Sequence, residues 1–254
     1  MAWYEEFFGE DYMRFHLRGG EREERRALSE CDFVISALDL HPGARVLDLC
    51  CGQGRHAVEL ARRGFNVTGF DLSDHLLGLA RDRAEKADVT VNFVRGDMRE
   101  LPWENHFDAV VNMFTSFGYL ETDEEDEKAL RVMRAALRPG GKVLIDHHNR
   151  ERTTPWLEHG RKDWAEHEGH IVLDQQEWDV CHSRIHVART IIGPDGGRRE
   201  TGFVLRIYSH SEMLSMFARV GLEWVKTYGT HDGAEYEHDS PRMAIVARKP
   251  AEES

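Results

Sequence analysis

No apolar run in this sequence approaches the ~20 residues that a membrane-spanning helix requires, and its opening, Met1-Ala2-Trp3-Tyr4-Glu5-Glu6, is acidic where a secretory signal is basic. No membrane partner is expected, and a soluble, cytoplasmic location is. Cysteine is scarce: Cys31, Cys50, Cys51 and Cys181 are the four, without CxxC spacing, so neither a zinc knuckle nor a disulfide framework is indicated and no metal is expected. Cations are also in deficit, with 33 Lys plus Arg against 46 Asp plus Glu and a formal charge of -13. Basic runs stop at pairs such as Arg62-Arg63 and Arg198-Arg199, which disfavours a nucleic-acid partner. What remains is a chain of 254 residues, 41% hydrophobic, long enough to bury a sizeable core. It reads as one domain carrying an insertion.

The stretch Arg45 to Asp71 organises the rest. Val46, Leu47 and Leu49 form an apolar run suited to a strand buried on both faces, and Gly52 and Gly54 follow at once. Glycines there allow a sharp turn and close approach to a ligand. Beyond Arg55, Ala57, Val58, Leu60 and Ala61 take helical spacing, Gly64 ends the helix, and Phe65 to Phe70 deliver Asp71 at a second strand's carboxyl end. This is half of a nucleotide-binding sheet, in which the glycine turn meets an adenosine-bearing ligand and Asp71 can accept both ribose hydroxyl protons. The glycines alone leave a nicotinamide cofactor and S-adenosylmethionine both open. Asp48 leans toward the second, because a carboxylate inside the first strand repels a pyrophosphate and suits a cationic amino-acid end. Cys50 and Cys51 are expected to pack as small residues beside the turn.

With these motifs the chain resembles the class I S-adenosylmethionine-dependent methyltransferases, in the branch that acts on sugars and other small molecules. Five segments carry the resemblance in order: Val46 to Gly54, Asp71, Gly96-Asp97-Met98, Phe107 to Asn112, and Leu137-Arg138-Pro139-Gly140-Gly141. It implies an α/β fold, a Rossmann-like seven-stranded methyltransferase sheet with an antiparallel final strand and a small antiparallel β insertion after the fifth strand. It also implies that Asp48, Cys50, Gly52 and Gly54 surround the methionine part of the cofactor, and that Asp71 and Leu72 take its ribose side. Gly96, Asp97 and Met98 would meet the adenine, and Asn112 and Phe114 would lie beside the transferable methyl. Residues 1–44 form an N-terminal helical cap on this reading, with Tyr12, Met13 and Phe15 as a lid over the cofactor. Residues 45–150 are the cofactor-binding core.

The acceptor side draws on later segments. Tyr119 follows Gly118 where similar amino-sugar N-methyltransferases carry a histidine that can serve as base. His147 and His148 end the fifth strand on opposite faces, a poor chelating pair, and one of them could take a proton from the acceptor. Asn149 and Arg150 match a pair that helps shape the acceptor side in similar enzymes, and Arg150 could clamp a carboxylate or phosphate. Within residues 153–209, three alternating stretches (Ile171 to Val180, Ser183 to Ile192, Glu200 to Tyr208) read as an antiparallel roof over the acceptor. Arg206 and Tyr208, on one face of its last strand, could hold an anionic or hydroxylated acceptor or pair across the roof. Residues 210–249 supply the last helix, capped by Ser211, and the last two strands. His231, Asp232, Glu235, Tyr236 and His238 read as a solvated hairpin.

The resulting expectation is methyl transfer from S-adenosylmethionine to a small-molecule acceptor by a monomer or homodimer. An NAD(P)-dependent oxidoreductase, and an S-adenosylmethionine-binding protein without catalysis, are the alternatives.

Overall fold

The computed structural model describes residues 21–251. Tyr12 and the rest of the expected lid lie outside them. The chain opens with α1 (Glu21–Leu38), then alternates β1 (Arg45–Leu49), α2 (Arg55–Arg62), β2 (Asn66–Asp71), α3 (Asp74–Lys86), β3 (Asn92–Arg95), β4 (Phe107–Asn112), α4 (Asp123–Ala136) and β5 (Leu137–His148). A short α5 (Arg150–Thr153) leads into β6 (Arg161–His167), β7 (His170–Asp179), β8 (Arg184–Ile192) and β9 (Arg198–Arg206). The described elements end with α6 (His210–Val220), β10 (Glu223–Tyr228) and β11 (Arg242–Arg248).

Seven strands form one sheet in the order β10-β11-β5-β4-β1-β2-β3. β11 runs antiparallel to both β10 and β5, and the other pairings are parallel. The alternating burial explains this arrangement. Along β1, Val46 joins Cys31, Val34, Leu60 and Val111 on the α1–α2 face, while Leu47 and Leu49 join Val110, Met133, Ile145 and Phe217 on the α4–α6 face. A strand covered by helices on both sides has no polar face, so its sequence reads as an apolar run, interrupted in β1 by the buried Asp48. Ligands of such sheets bind beyond the strands' carboxyl ends, and here those ends carry Asp71, Asn112 and His148.

The roof is a second sheet of four strands, β6-β7-β8-β9, antiparallel and in unbroken register. Its inner cluster, Leu157, Ile185, Val187, Leu205 and Ile207, packs with Tyr119 and Phe203. Two local expectations are corrected. Ser209, not Ser211, caps α6, because Glu212 lies three residues beyond Ser209 and closes a reciprocal capping box with it. The third strand, which the apolar spacing of the sequence places at Val89 to Val94, is the shorter stretch Asn92–Arg95, because Val89 ends the preceding helix by donating to the Ala84 carbonyl. Among the described residues no helix is long and apolar enough to cross a membrane.

Candidate functional site

The turn after β1 is fixed by backbone bonds. The Cys50 and Cys51 N–H groups both donate to the Phe70 carbonyl, at 2.7 and 3.1 Å. Cys50 sits at φ +60°, a conformation that costs a non-glycine residue about 1 kcal/mol. The two glycines differ in purpose. A Cβ on Gly54 would lie 2.8 Å from the Ala80 Cβ, so this glycine allows β1, α2 and α3 to pack. A Cβ on Gly52 would meet nothing nearer than Leu76 Cδ1 at 4.0 Å, so its bare backbone, at φ +54°, leaves open space beside Asp71.

Asp71 ends β2 with its carboxylate facing that space. Oδ2 accepts the Gly52 N–H at 2.8 Å and Oδ1 accepts the Ser73 N–H at 2.9 Å. Burial raises its pKa, and these bonds offset part of the rise. Around it opens a cleft of about 720 Å³, mouth included, lined by Cys50, Gly52, Phe70, Asp71, Leu72, Leu76, Gly96, Asp97, Met98, Ser116, Tyr119 and Leu120. A Cβ on Gly96 would stand 2.3 Å from Phe70 Cζ, so glycine there keeps the Phe70 ring in the wall. Burial works to raise the Asp97 carboxyl, but Arg99 outweighs it and holds the group below its usual range. Asp97 Oδ1 accepts from the Arg99 backbone N–H and from Nε at 2.8 and 2.9 Å.

Two buried acceptors lie behind this wall. Asp48 is 2% exposed, bonds to the Ala57 backbone, and has no hydrogen-bond partner for Oδ2. Burial pushes its carboxyl up to about 7, against the pull of Arg55. Asn112 donates to the Leu49 carbonyl at 3.1 Å, tying β4 to β1, while its Oδ1 has no partner. Neither they nor Gly54 line the cleft. Phe114 also stands apart: its N–H donates to Asp146 Oδ2 at 2.9 Å, and its ring lies under the Arg55 guanidinium at 4.2 Å and stacks on His56. Arg242, 2.8 Å from Asp146, closes this ion cluster on one side and the Glu30–Arg55 pair, at 2.8 Å, on the other.

Of the residues expected on the acceptor side, only Tyr119 reaches the cleft. It bridges to the roof by an edge contact with Phe203, ring centroids 5.8 Å apart. His147 is fully buried, with Nδ1 3.1 Å from the His148 carbonyl, so Nδ1–H donates and the Nε2 lone pair has no partner. Burial pushes its pKa down to about 4 and that of His148 down to about 3, the nearby Arg242 adding to both. The neutral His147 imidazole faces Tyr208, at 6.1 Å between rings, and not the cleft.

The four residues assigned to acceptor binding do not line this cleft, and most of their polar atoms have partners inside the fold. Asn149 donates to the carbonyls of His238 and Ser240 at 3.0 and 2.8 Å and accepts from Tyr236 Oη and the Glu151 N–H. Arg150 pairs with Glu212 at 2.8 Å. Arg206, 5% exposed, reaches Glu212 at 2.8 Å and Asp123 at 3.2 Å and covers the Tyr208 ring at 4.2 Å. Tyr208 donates to Asp126 Oδ2 at 2.7 Å, and burial pushes the Asp126 carboxyl up to about 7. Sequence reasoning missed Phe70, Leu76, Ser116 and Leu120 in the wall. The first two looked like core, and the other two sit in the β4 exit segment, whose position past the strand edge was the available signal.

Residues 46–141 match the family model described as a methyltransferase domain. A dTDP-3-amino-3,4,6-trideoxy-alpha-D-glucopyranose N,N-dimethyltransferase of Streptomyces venezuelae is 34% identical over 143 residues, covering 56% of this chain and 58% of that one. The chain spans about half the length of the curated relatives it matches, from 42% to 58% in these cases. Among solved structures, the CcbJ methyltransferase of Streptomyces caelestis has the same fold at a TM-score of 0.80 and 22% identity, over 96% of this chain and 98% of that one. CalS10 of Micromonospora echinaspora, an amino pentose methyltransferase solved with S-adenosylmethionine bound, superposes at a TM-score of 0.67 and 27% identity over 91% of this chain and 92% of its own.

Proposed function

We propose, for a chain whose residues 46–141 match the methyltransferase domain family, that it transfers a methyl group from S-adenosylmethionine to a small-molecule acceptor held beneath the roof. The cleft carries this reading: it joins Gly52, Asp71, Asp97 and Met98 at one end to Ser116 and Tyr119 at the other. The residues fit the cofactor. Gly52 and Ser73 each give the Asp71 carboxylate a backbone N–H and Leu72 adds a third, so only part of its roughly four acceptor sites is left for the ribose hydroxyls. Phe70, Leu72, Leu76 and Met98 offer apolar walls to the base, and Asp97, whose two oxygens also hold Arg99, would meet its exocyclic amine with the acceptor capacity that remains.

When bound, S-adenosylmethionine supplies an electrophilic methyl on a sulfonium. The chain's part is alignment, since displacement in line needs the acceptor held at the right distance and angle more than it needs a base. Tyr119, set between the cleft and the roof, orients the acceptor through its hydroxyl. His147, neutral and enclosed, holds the wall behind it. Amines are the first acceptors to try, because the matched relatives include an N,N-dimethyltransferase of an amino sugar and an amino pentose methyltransferase.

The test is incubation with methyl-labelled S-adenosylmethionine and a panel of amines, alcohols and carboxylic acids. Label appearing in one acceptor with equal formation of S-adenosylhomocysteine is the expected result. Tight cofactor binding without turnover on any acceptor would favour the binding-only reading. Binding of NAD(P) in place of S-adenosylmethionine would sink the assignment.

Asp48 adds a pH dependence. Burial holds its carboxyl up at about 7, and from behind the cleft wall only its ionised form would attract the cofactor's ammonium group. Affinity therefore rises with pH, by up to about tenfold per unit below 7, and levels off above it. Titration calorimetry from pH 6 to 8 reads this out, and an Asp48→Asn variant whose slope matches wild type would show that another group is responsible.

A further inference from the structure

The chain leaves β4 through a strained turn. Phe114 and Thr115, in succession, have φ of +59° and +60°, a left-handed conformation that suits glycine and is least natural for a β-branched residue. Such a pair persists only where its surroundings hold it. The holding group is Asp146 of β5, which is fully buried. Its Oδ2 accepts the Phe114 N–H at 2.9 Å, and its backbone carbonyl accepts the Thr115 N–H at 2.8 Å. Arg242, at the start of β11, closes the clamp with one guanidinium: Nε donates to Asp146 Oδ1 at 2.8 Å and Nη2 donates to Thr115 Oγ1 at 2.9 Å. The planar fork of an arginine fixes both partners at once. His231, expected in a solvated hairpin, lies mostly buried beside them, with Nε2 3.2 Å from the same Asp146 oxygen. Burial works to raise the Asp146 carboxyl, but Arg242 and His231 outweigh it and hold the group well below its usual range.

The turn sorts the side chains around it. The Phe114 ring stays under Arg55, away from the cleft, while Ser116 enters the cleft wall with Tyr119 and Leu120. Ser116 Oγ donates its one proton to the Met113 carbonyl at 2.9 Å. Toward the cleft this hydroxyl offers lone pairs alone. We propose that Ser116 selects methyl acceptors that carry an N–H or O–H on the reacting atom, and that Asp146 and Arg242 are positioning residues that act through it by holding the Phe114–Thr115 turn. An amine that gives one N–H to Ser116 is held by its hydrogen and keeps its nitrogen lone pair for the methyl. A carboxylate has no hydrogen to give and meets only lone pairs.

This inference rests on the methyl-transfer reading, and the two fail in different ways. Wild type, Ser116→Ala, Thr115→Val and Thr115→Ser are titrated with S-adenosylmethionine, then assayed with methyl-labelled S-adenosylmethionine against amines, alcohols and carboxylic acids. Label in an amine or an alcohol is the expected result. Ser116→Ala lowers kcat/KM for that acceptor about 10- to 100-fold and leaves the cofactor Kd within about threefold. Thr115→Val keeps the shape, removes the hydroxyl that Arg242 holds and lowers kcat about tenfold, whereas Thr115→Ser restores it. Adding Thr115→Val to Ser116→Ala costs little more, because both act through one contact. Circular dichroism checks folding, and Arg242→Lys, which keeps the charge without the fork, takes the place of Thr115→Val if that variant does not fold. Wild type that does not bind S-adenosylmethionine sinks the methyl-transfer reading and this inference with it. With the cofactor bound, label absent from every amine and alcohol overturns the selection, as does full turnover in Ser116→Ala. Losses that add fully in the double variant overturn the positioning role.

Discussion

Asp71→Ala is expected to weaken S-adenosylmethionine binding on the order of 100-fold, because in the proposed site the charge-assisted hydrogen bonding to the ribose is lost. The loss is local. Asp71 lies at the edge of the cleft and contributes no apolar packing, and the Gly52 and Ser73 N–H groups it releases can turn to water there. The melting temperature therefore falls far less than the affinity. Asp71→Asn keeps the shape but turns one acceptor into a donor that opposes an N–H, so it should bind only slightly better than the alanine variant. Calorimetric titration of both variants with S-adenosylmethionine and S-adenosylhomocysteine reads the effect. Wild-type affinity in Asp71→Ala would transfer the weight of recognition to Asp97 and the apolar walls.

The second large effect is expected at Gly118, where the core meets the roof. Its φ is +101°, and a Cβ there would stand 2.5 Å from the Arg206 carbonyl oxygen and 3.3 Å from His147 Nε2. Its own carbonyl receives the Arg206 N–H at 2.8 Å, so neither partner can step aside without breaking the junction. Gly118→Ala should cost about 3 kcal/mol through backbone strain and overpacking. For a chain of this size that lowers Tm by roughly 6–12 °C. Turnover should suffer more than cofactor affinity, because the displaced backbone carries Tyr119 on one side and the root of the roof on the other. Calorimetric melting together with a split between Kd and kcat checks both parts. A variant with unchanged Tm would mean that Arg206 yields easily and that the roof is not rigidly rooted.

Much of this arrangement could be read from the sequence. The apolar run before Gly52 and Gly54 has no other reasonable fold, and Asp71, Gly96, Asp97 and Met98 follow once the strand edges are placed. The parts that stayed hidden share a physical cause. β6 has no alternating pattern because neither of its faces is well buried, so periodicity has nothing to report. Asn149, Arg150, Arg206 and Tyr208 look like ligand-binding side chains, yet they are consumed by Ser240, Glu212, Asp123 and Asp126, partners up to 91 residues away in sequence. Local pattern identifies a polar side chain near a strand end. It does not tell whether another part of the chain arrives to satisfy it.

The same enclosed polar groups shape the response of the fold to acid. His147 and His148 hold no proton until pH falls to about 4 and about 3, while an unfolded histidine takes one near 6.5. Over that window the unfolded chain binds more protons, and stability drains away as pH falls. Asp48 and Asp126 do the reverse. They keep a proton up to about pH 7 when folded and release it near 3.8 when unfolded, so their contribution grows as pH falls through the same window. His56 and His210 are lowered in the same way and Asp71 is raised with the other two carboxyls, so between about pH 4 and 6.5 the carboxyls offset much of the histidines' incline and leave it shallow. Any substitution of His147, His148, Asp48 or Asp126 would change that slope, and the direction of the change identifies which kind of group was lost.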